Sequence, residues 1–348
     1  MSQPGAVPRQ VGVTDVKDMD LEALRRHGFG VAYRMLGSVA EAEDIAQEAL
    51  LRLTREEREI GEPAAWITTV ATRLSISVLR SARSRRESYV GPWLPEPLVE
   101  DPAPGPASRA ELADSLSLAL LVLLERLTPV ERAAYLLREV FAYDYAEIGE
   151  IIERTEVNSR QLVTRARKHV EASRPRFDPD EEARDALLER FLAAAEEGDL
   201  EGLEEMLAKD AILYADGGGK TIASPVPLSG AAVIAQFMAG VARVRRDMGS
   251  FETSLVHVNG QPGRVIRARG EDRFDETQRE AVAKAAALLR SGDLDADEMA
   301  AMMRRALAPA IANPDAPLRV WDVLTVDVVD GRIQTVRIVR NPDKLAHL

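Results

Sequence analysis

Apolar side chains recur at helical spacing along the first half of the chain, and breaks in that pattern mark its helices. Three such stretches follow one another between residues 21 and 86, separated by Gly37-Ser38 and by Gly61-Glu62-Pro63. After a segment with six prolines between Pro92 and Pro106, residues 108–174 return to the helical pattern. We therefore expect two all-α domains joined by an extended, exposed linker.

The pattern changes from about residue 181. Helical stretches are followed by alternating apolar and polar residues, with turn pairs at Asn259-Gly260 and Asp330-Gly331. Between the predicted strands, residues 272–312 form a charged, Ala- and Met-rich stretch with helical spacing, where we would expect a sheet to continue directly. These features predict a separate α+β domain with an inserted helical segment.

A chain of 348 residues is long enough for two or three domains. The predicted organisation is a disordered leader (1–18), a first helical domain (19–88), a Pro-rich linker (89–110), a second helical domain (111–176) and an α+β domain (180–348) with its helical insertion (272–312). The predicted fold class is therefore multidomain, with two all-α domains followed by one α+β domain.

The composition excludes several classes of function. The chain has no cysteine and four histidines, which excludes disulfides, thiolate zinc sites and a cysteine nucleophile, and we expect neither a metal nor a cofactor. A net charge of −12 argues against a protein that coats nucleic acid unspecifically. The longest apolar run, Leu118–Leu124, is far too short to span a bilayer, so we expect a cytoplasmic protein that does not enter the membrane.

The second predicted helix has an informative polar face. On the side opposite its apolar residues lie Asp44, Gln47, Glu48 and Leu51. A leucine within an acidic and amide stripe is typical of a surface where another protein docks. A solvated helix face is the alternative interpretation, and composition alone favours it.

One face of the third predicted helix combines hydroxyl groups, arginines and a tryptophan. Its residues are Trp66, Thr69, Arg73, Ser77, Arg80 and Arg83. Such a face can hydrogen-bond phosphates and stack on exposed bases, as recognition of single-stranded DNA requires. A solvated basic helix end is an equally good interpretation of these residues taken singly.

The second helical domain has the layout of a helix-turn-helix. Thr128-Pro129-Val130-Glu131 and Asp144-x-x-Glu147 each predict a helix start, and a third helix is expected from Thr155 to about residue 172. In that last helix we expect Val157 to pack inward with the other apolar residues. The residues expected outward, whose side-chain types read base edges and hold phosphates, are Asn158, Ser159, Arg160, Gln161, Thr164, Arg165, Arg167 and Lys168. An ordinary helical hairpin with a charged face is the alternative.

Short motifs in both helical domains carry a family resemblance. They are Ala42-Glu43-Asp44-Ile45-Ala46-Gln47-Glu48-Ala49, Ala65-Trp66, Leu127-Thr128-Pro129-Val130-Glu131-Arg132, Leu136-Leu137-Arg138-Glu139-Val140, Arg160-Gln161-Leu162 and Arg165-Ala166-Arg167. With them the chain resembles the extracytoplasmic-function (ECF) sigma factors of bacterial RNA polymerase. The resemblance implies that the first helical domain (19–88) is sigma region 2 and the second (111–176) is sigma region 4. It implies that the stripe of Asp44 and Leu51 binds the β′ clamp helices of core RNA polymerase, and that region 4 meets the β flap. It also implies that the helix of Trp66 meets the promoter −10 element and that the helix from Thr155 reads the −35 element.

Three further motifs resemble a subgroup of this family that has a fused SnoaL-like domain. They are Trp93-Leu94-Pro95-Glu96-Pro97, Asp216-Gly217-Gly218-Gly219-Lys220 and Asn341-Pro342-Asp343-Lys344-Leu345. The resemblance implies a cone with a curved sheet that regulates the sigma factor in cis, with no separate anti-sigma factor required. We expect the three motifs to contact one another.

Two other functions are compatible with the sequence. One is a stand-alone helix-turn-helix regulator that binds duplex DNA without polymerase. The other is a DNA-binding module fused to a SnoaL-like isomerase or cyclase, for which only Asp216 and His257 are candidate acid/base residues, and we rank catalysis below regulation. Gly219-Lys220-Thr221 does not complete a phosphate loop, because Tyr214 stands where its first glycine is needed. An unidentified small molecule remains a candidate ligand of the C-terminal domain.

Overall fold

The structure is a computed structural model that describes residues 19–58, 60–87, 89–99, 117–171, 180–248, 251–269, 276–292, 295–307 and 317–348. The predicted leader (1–18) and the predicted linker from residue 100 onward lie outside the described residues. None of the described helices is both long enough and apolar enough to cross a membrane.

The helices and strands follow in chain order. The helices are α1 (Leu21–Leu36), α2 (Val39–Arg55), α3 (Pro63–Glu87), α4 (Leu118–Leu124), α5 (Pro129–Glu139), α6 (Tyr145–Ile152), α7 (Glu156–Glu171), α8 (Glu181–Glu197), α9 (Leu200–Met206), α10 (Ala231–Met248), α11 (Glu276–Ser291), α12 (Ala296–Leu307) and α13 (Pro342–Leu345). The strands are β1 (Leu207–Asp216), β2 (Leu228–Ser229), β3 (Phe251–Val258), β4 (Gln261–Arg269), β5 (Leu318–Val329) and β6 (Arg332–Val339).

Contacts between Cα atoms divide the chain into two compact units. One comprises Met1–Ser81 and Leu127–Arg167, and the other comprises Ala82–Arg126 and Lys168–Leu348. We call the first the helical unit and the second the sheet unit.

Capping residues set the helix boundaries in the helical unit. The side chains of Asp20 and Ser38 accept hydrogen bonds from backbone N–H groups in the first turns of α1 and α2, and Gly37 ends α1 at a left-handed φ of 65°. Capping boxes at Thr128 and Asp144 begin α5 and α6. The capping pattern therefore places these two helices where the sequence predicts them.

The third helix buries hydroxyl side chains as well as apolar ones. Ile67 packs against Ala49 and Leu53 of α2, and Thr68 and Ser75 are buried beside this contact face. The hydroxyls of Thr68 and Ser75 donate to the backbone carbonyls four residues earlier, at 3.0 and 2.7 Å. Both hydroxyls are therefore buried with a hydrogen-bond partner, which removes most of the cost of burying them.

The sheet unit is built on a six-stranded sheet with the order β2-β1-β6-β5-β4-β3. β1 and β6 are parallel, with Asp216 opposite Val339, and the other neighbours are antiparallel. β4 pairs directly with β5, with Gly263 opposite Thr325, although the helical insertion separates the two strands in sequence. The sheet therefore continues across the insertion.

Helices cover one face of the sheet and form the main core of this unit. Phe191 of α8, Phe237 of α10 and Leu324 of β5 belong to it. Ala285 of α11 and Met299 of α12 are buried in the same core. The predicted α+β class is confirmed, and the inserted helices contribute to its hydrophobic core.

The opposite face of the sheet is also buried at its centre. Val323, Thr325 and Asp327 alternate along β5 with residues of the main core, and all three are buried. The short C-terminal helix α13 packs against β5. Leu94 and Pro97 belong to the segment predicted to be an exposed linker, but both are buried within the same unit, so that prediction is wrong for these residues. Both sheet faces are thus covered, one by the long helices and the other partly by α13.

Candidate functional sites

The predicted docking stripe lies on the solvent side of α2. Asp44, Gln47, Glu48 and Leu51 are all exposed, and 42% of Leu51 is accessible to solvent. Among these side chains Glu48 makes an ion pair with Arg52 at 2.8 Å, one turn further along the helix. The stripe therefore presents an apolar side chain among acidic and amide groups. The opposite face of α2 is buried and fixes the helix in place.

The polar face of α3 is placed largely as predicted. Arg73, Ser77 and Arg80 are exposed, whereas Trp66 and Thr69 are half-buried. The Thr69 hydroxyl donates to the carbonyl of Ala65 at 3.0 Å, so it is already used within the helix. The side chain of Arg83 lies outside the described residues.

Arg73 makes a contact that the sequence did not predict. Its Nε and one Nη donate to the backbone carbonyls of Ile151 and Glu150, both at 2.9 Å. These carbonyls belong to the last turn of α6, which ends at Glu153 in the left-handed conformation. A guanidinium at a helix C-terminus satisfies free carbonyls and complements the helix dipole. In this structure α3 of the first helical domain is therefore joined to the helix-turn-helix through Arg73.

Helix α7, the last helix of the helix-turn-helix, differs from the prediction at two residues. Ser159 was expected outward, but it is buried because it lies against Gly149 of α6, and its hydroxyl donates to the Thr155 carbonyl at 3.1 Å. Val157 was expected to pack inward, but it lies in the first turn on the solvent side of α7 and is 68% exposed. Helical spacing gave the wrong burial for Ser159 and Val157, because the close approach of α6 determines which side of the first turn is buried.

The other predicted residues of α7 lie at its surface. Asn158, Arg160, Gln161, Thr164, Arg165 and Lys168 are exposed, and Arg167 is half-buried. Three of the arginines have acidic partners. Arg160 pairs with Glu156 at 3.0 Å, Arg165 with Glu131 at 3.1 Å and Arg167 with Glu139 at 2.5 Å. Exposed pairs of this kind contribute little free energy, so they leave the arginines able to exchange a carboxylate for a phosphate.

The three motif segments of the sheet unit meet at the carboxylate of Asp216, the last residue of β1. One carboxylate oxygen accepts from the Tyr89 hydroxyl at 2.5 Å and from the Gly218 N–H at 3.1 Å. The other accepts from the Leu94 N–H at 2.8 Å and from the Lys344 ammonium at 2.7 Å. Asp216 is completely buried, so its charge is stabilised by these four donors and not by water.

Lys344 of α13 extends this cluster to the tryptophan of the first motif. Its ammonium also donates to the Leu94 carbonyl and lies 4.3 Å from the ring centroid of Trp93 and 4.9 Å from that of Tyr89. Burial raises the pKa of the Tyr89 hydroxyl, and the negative charge of Asp216 raises it further. The phenol therefore stays protonated and serves as a donor to the carboxylate.

The glycines of the second motif are required by close packing. Gly218 and Gly219 have φ angles of 59° and 69°, in the left-handed region that glycine favours. A Cβ atom on Gly218 would collide with the side-chain amide of Asn341, and one on Gly219 would lie 3.0 Å from Val90. Asn341 in turn donates to the Tyr89 hydroxyl at 2.9 Å. The loop is therefore shaped to receive both the tail and the segment of residues 89–99.

Further contacts, outside the three motifs, hold the same segment. Leu98 and Asn259 exchange two hydrogen bonds of 2.9 Å, and Val99 forms an isolated bridge with Val258 of the edge strand β3. His347 contacts the carbonyl of Pro97 at 2.9 Å. Within the motifs themselves, Lys220 pairs with Asp343, an ion pair that links the glycine loop to the C-terminal motif and does not involve residues 89–99. We call residues 89–99 together with these partners the linker clamp.

Sequence reasoning missed three members of the linker clamp. All three lie outside the motifs: Tyr89, Asn259 and His347. Their partners are far away in sequence: Asp216 is 127 residues from Tyr89, Leu98 is 161 residues from Asn259 and Pro97 is 250 residues from His347. The Asn259-Gly260 pair carried a signal, since it was identified as a turn. That signal indicates a hairpin and gives no hint that the turn also binds another segment.

The two candidate acid/base residues have other roles. Asp216 is engaged by four donors in the linker clamp, and His257 lies 3.2 Å from the Asp185 carboxylate at a partly exposed position. A cavity of about 560 Å³ in the sheet unit is lined by Arg245, Arg269 and other residues that include neither candidate. The geometry therefore gives no support to acid/base catalysis at these residues.

Two segments of the chain match known protein families. Residues 21–85 match Sigma-70 region 2, and residues 117–170 match Sigma-70, region 4. Over 248 residues the chain is 40% identical to the ECF RNA polymerase sigma factor SigJ of Mycobacterium tuberculosis, a match that covers 70% of this chain and 79% of SigJ. The chain belongs to the ECF sigma factors. As a sigma factor it acts with core RNA polymerase and promoter DNA in transcription initiation, which is not an enzymatic activity.

The similarity extends to other sigma factors and to the sheet unit. The probable ECF RNA polymerase sigma factor SigI of M. tuberculosis is 34% identical over 188 residues, which covers 53% of this chain and 64% of SigI. The crystal structure of M. tuberculosis SigJ matches with a TM-score of 0.65 and 28% identity over 94% of this chain and 97% of that chain. The predicted resemblance to an ECF sigma factor with an additional C-terminal α+β domain is confirmed, and family membership replaces the two alternative functions.

Proposed function

We propose that the sheet unit regulates this sigma factor in cis by holding the segment that connects regions 2 and 4. The observation that carries the proposal is the buried Asp216 carboxylate, which accepts hydrogen bonds from Tyr89 and Leu94 of that segment. Docking of residues 89–99 takes about 36 Å of extended chain out of the connection between the two regions. A shorter connection limits how far apart the two regions can move.

The surfaces of the helical unit support three interface assignments. The stripe of Asp44, Gln47, Glu48 and Leu51 docks on the β′ clamp helices, because it is exposed and combines an apolar side chain with acidic ones. The face of α3 from Trp66 to Arg80 meets the −10 element, and α7 enters the major groove of the −35 element with region 4 against the β flap. The exposed arginines and amides of α7 support this placement, since phosphates and base edges are their common ligands.

Promoter binding requires region 2 and region 4 to separate. The −10 and −35 elements are about 25 base pairs apart, which is about 85 Å along the duplex at 3.4 Å per base pair. Arg73 of α3 lies within hydrogen-bond distance of the Glu150 carbonyl of α6, and α7 extends only about 24 Å. The two DNA-binding surfaces cannot reach both elements while this contact persists. We infer that Arg73 leaves the α6 carbonyls when it engages the promoter.

A distance measurement tests this separation. The chain has no cysteine, so Ala64→Cys in α3 and Arg154→Cys beside α6 provide two unique spin-label sites, and both positions are exposed. In the free protein we expect a spin–spin distance of about 15–30 Å, because Ala64 lies about 14 Å along α3 from Arg73, whose guanidinium reaches the end of α6 beside Arg154. In the holoenzyme on promoter DNA we expect the distance to exceed about 60 Å. Double electron–electron resonance measures both states, and an unchanged distance in a transcribing complex would contradict the inference.

The linker clamp also predicts a specific effect on transcription. Tyr89→Phe removes the hydroxyl that joins Asp216 and Asn341 but keeps the ring beside Lys344. A hydrogen bond to a charged group contributes about 1.5–3 kcal/mol, so the clamp should open more often, and run-off transcription should rise at least threefold. The assay uses purified core RNA polymerase and the upstream region of the protein's own gene.

Tyr214→Phe is the matched control for this assay, because it makes the same change two residues from Asp216 on β1, at a hydroxyl that makes none of the hydrogen bonds described for the linker clamp. Equal output from the wild-type protein and Tyr89→Phe would show that the linker clamp does not limit initiation.

Because control is built into the chain, we also propose that no separate anti-sigma factor is required. Addition of this purified chain alone to core polymerase should then give run-off transcription that Tyr89→Phe raises, without a further protein.

A further inference from the structure

The exposed Val157 is the feature of the recognition helix that the interface assignments leave unexplained. It lies in the first turn of α7 with 68% of its surface accessible. A β-branched side chain adds nothing to the stability of an exposed helix turn compared with alanine. The residue therefore neither packs in the core nor favours its own helix, although it occupies the part of a recognition helix that contacts base edges.

The neighbours of Val157 show which chemistry surrounds it. The Arg160 guanidinium forms an ion pair with Glu156, and its central carbon lies 5.0 Å from the ring centroid of Tyr145. Both charged side chains therefore already have partners within the protein. By contrast, in the part of the chain that the structure describes, the side-chain amides of Asn158 and Gln161 make no hydrogen bond. Such amides pair with the N6 and N7 atoms of adenine in the major groove. An isopropyl group thus stands beside two amides whose hydrogen-bonding groups are unused.

The major groove offers one apolar group on the bases, the C5-methyl of thymine. We propose that Val157 is a specificity-determining residue that contacts a thymine methyl group in the −35 element, next to adenines read by Asn158 and Gln161. Cytosine at that position lacks the methyl group and places an amino donor against the isopropyl group, where it finds no acceptor. This inference rests on the proposed placement of α7 in the −35 major groove.

Replacement of single thymines by deoxyuridine isolates the methyl group, because it removes that group and keeps every Watson–Crick hydrogen bond. Holoenzyme binding is measured by fluorescence anisotropy on a promoter fragment from which the wild-type protein initiates, with each −35 thymine replaced in turn. At one position we expect about fourfold weaker binding, because that is the effect of removing one methyl group from an apolar contact. Val157→Ala should show a similar loss on the unmodified promoter and no further loss with deoxyuridine at that position.

Lys168→Ala is the control variant, since an exposed lysine near the end of α7 is suited to a phosphate contact and not to reading a base. It should weaken binding to thymine and deoxyuridine fragments equally. If the wild-type protein and Val157→Ala respond alike to every deoxyuridine, while base-pair exchanges in the −35 element still weaken binding, the role of Val157 is wrong and the placement of α7 stands. If base-pair exchanges in the −35 element have no effect, the placement of α7 itself is wrong.

Discussion

Replacement of Asp216 by alanine should lower the free energy of unfolding of the sheet unit by about 3–5 kcal/mol and release residues 89–99 from it. The carboxylate is completely buried, and its partner Lys344 is buried as well. Removal of the carboxylate leaves the ammonium without its counter-ion, and the N–H of Leu94 and the hydroxyl of Tyr89 lose their acceptor. The large effect follows because a buried ion, a buried backbone N–H and a half-buried hydroxyl lose their partner together.

Two measurements on the full chain check this result. Chemical denaturation followed by tryptophan fluorescence reports the loss of stability, since Trp93 lies against Lys344 and Trp321 is buried in the sheet unit. Hydrogen exchange of the backbone amides of residues 89–99 reports release of the segment. We expect the Leu94 amide to lose protection first, because it donates directly to Asp216.

The chain offers a matched control for the Asp216 variant. Asp327 and Arg337 form a second buried ion pair in the same sheet, at 2.5 Å. Asp327→Ala should cost a similar free energy of unfolding but leave hydrogen exchange of residues 89–99 unchanged in the native state. The double variant Asp216→Asn with Lys344→Met removes both charges and should recover part of the stability without restoring the clamp. Unaltered protection of the Leu94 amide in Asp216→Ala would show that the carboxylate does not hold the linker.

The double variant Asp44→Ala with Leu51→Ala should bind core RNA polymerase about 100-fold more weakly than the wild-type protein. Leu51 is 42% exposed in the free protein and would be buried in the interface. Its truncation to alanine should therefore cost about 2 kcal/mol of binding free energy. Loss of a carboxylate at a complementary surface adds about 1 kcal/mol, and 1.4 kcal/mol corresponds to a factor of ten in affinity. Both residues are on the solvent side of α2, so the fold of the helical unit should be unaffected.

Fluorescence anisotropy of the labelled sigma factor titrated with core polymerase measures this affinity. Leu255→Ala with Glu252→Ala is the matched control, because it removes an exposed leucine and an exposed carboxylate from the sheet unit. The control should bind core polymerase like the wild-type protein. Equal affinities for the α2 variant and the control would remove the docking stripe from the interface.

The sequence carried enough information to predict the helical parts of this protein. Caps such as Thr128-Pro129-Val130-Glu131 act within four residues, and amphipathic spacing acts within a few turns, so both can be read without a tertiary structure. The docking stripe of α2 was predictable for the same reason, since a helix with one apolar side must expose the other. Even the insertion at 272–312 was recognisable as helical, although its place in the core was not.

The errors in α7 show where local patterns cease to be sufficient. Val157 and Ser159 are two positions apart in the first turn, and their burial depends on how closely α6 approaches. Gly149 allows that approach, and it turns the serine inward and the valine outward. Helical periodicity describes which residues share a face, but a neighbouring element decides which face is covered.

The sequence by itself determined the family, the helices and the three motifs that lie far apart along the chain. Only the tertiary structure decided that these motifs converge on one buried carboxylate, and that Tyr89, Asn259 and His347 join them. Likewise it decided that Arg73 caps the end of α6. The physical reason is that a buried charge or a free carbonyl takes its partner from whatever segment the fold brings within hydrogen-bond distance, and sequence separation places no constraint on that choice.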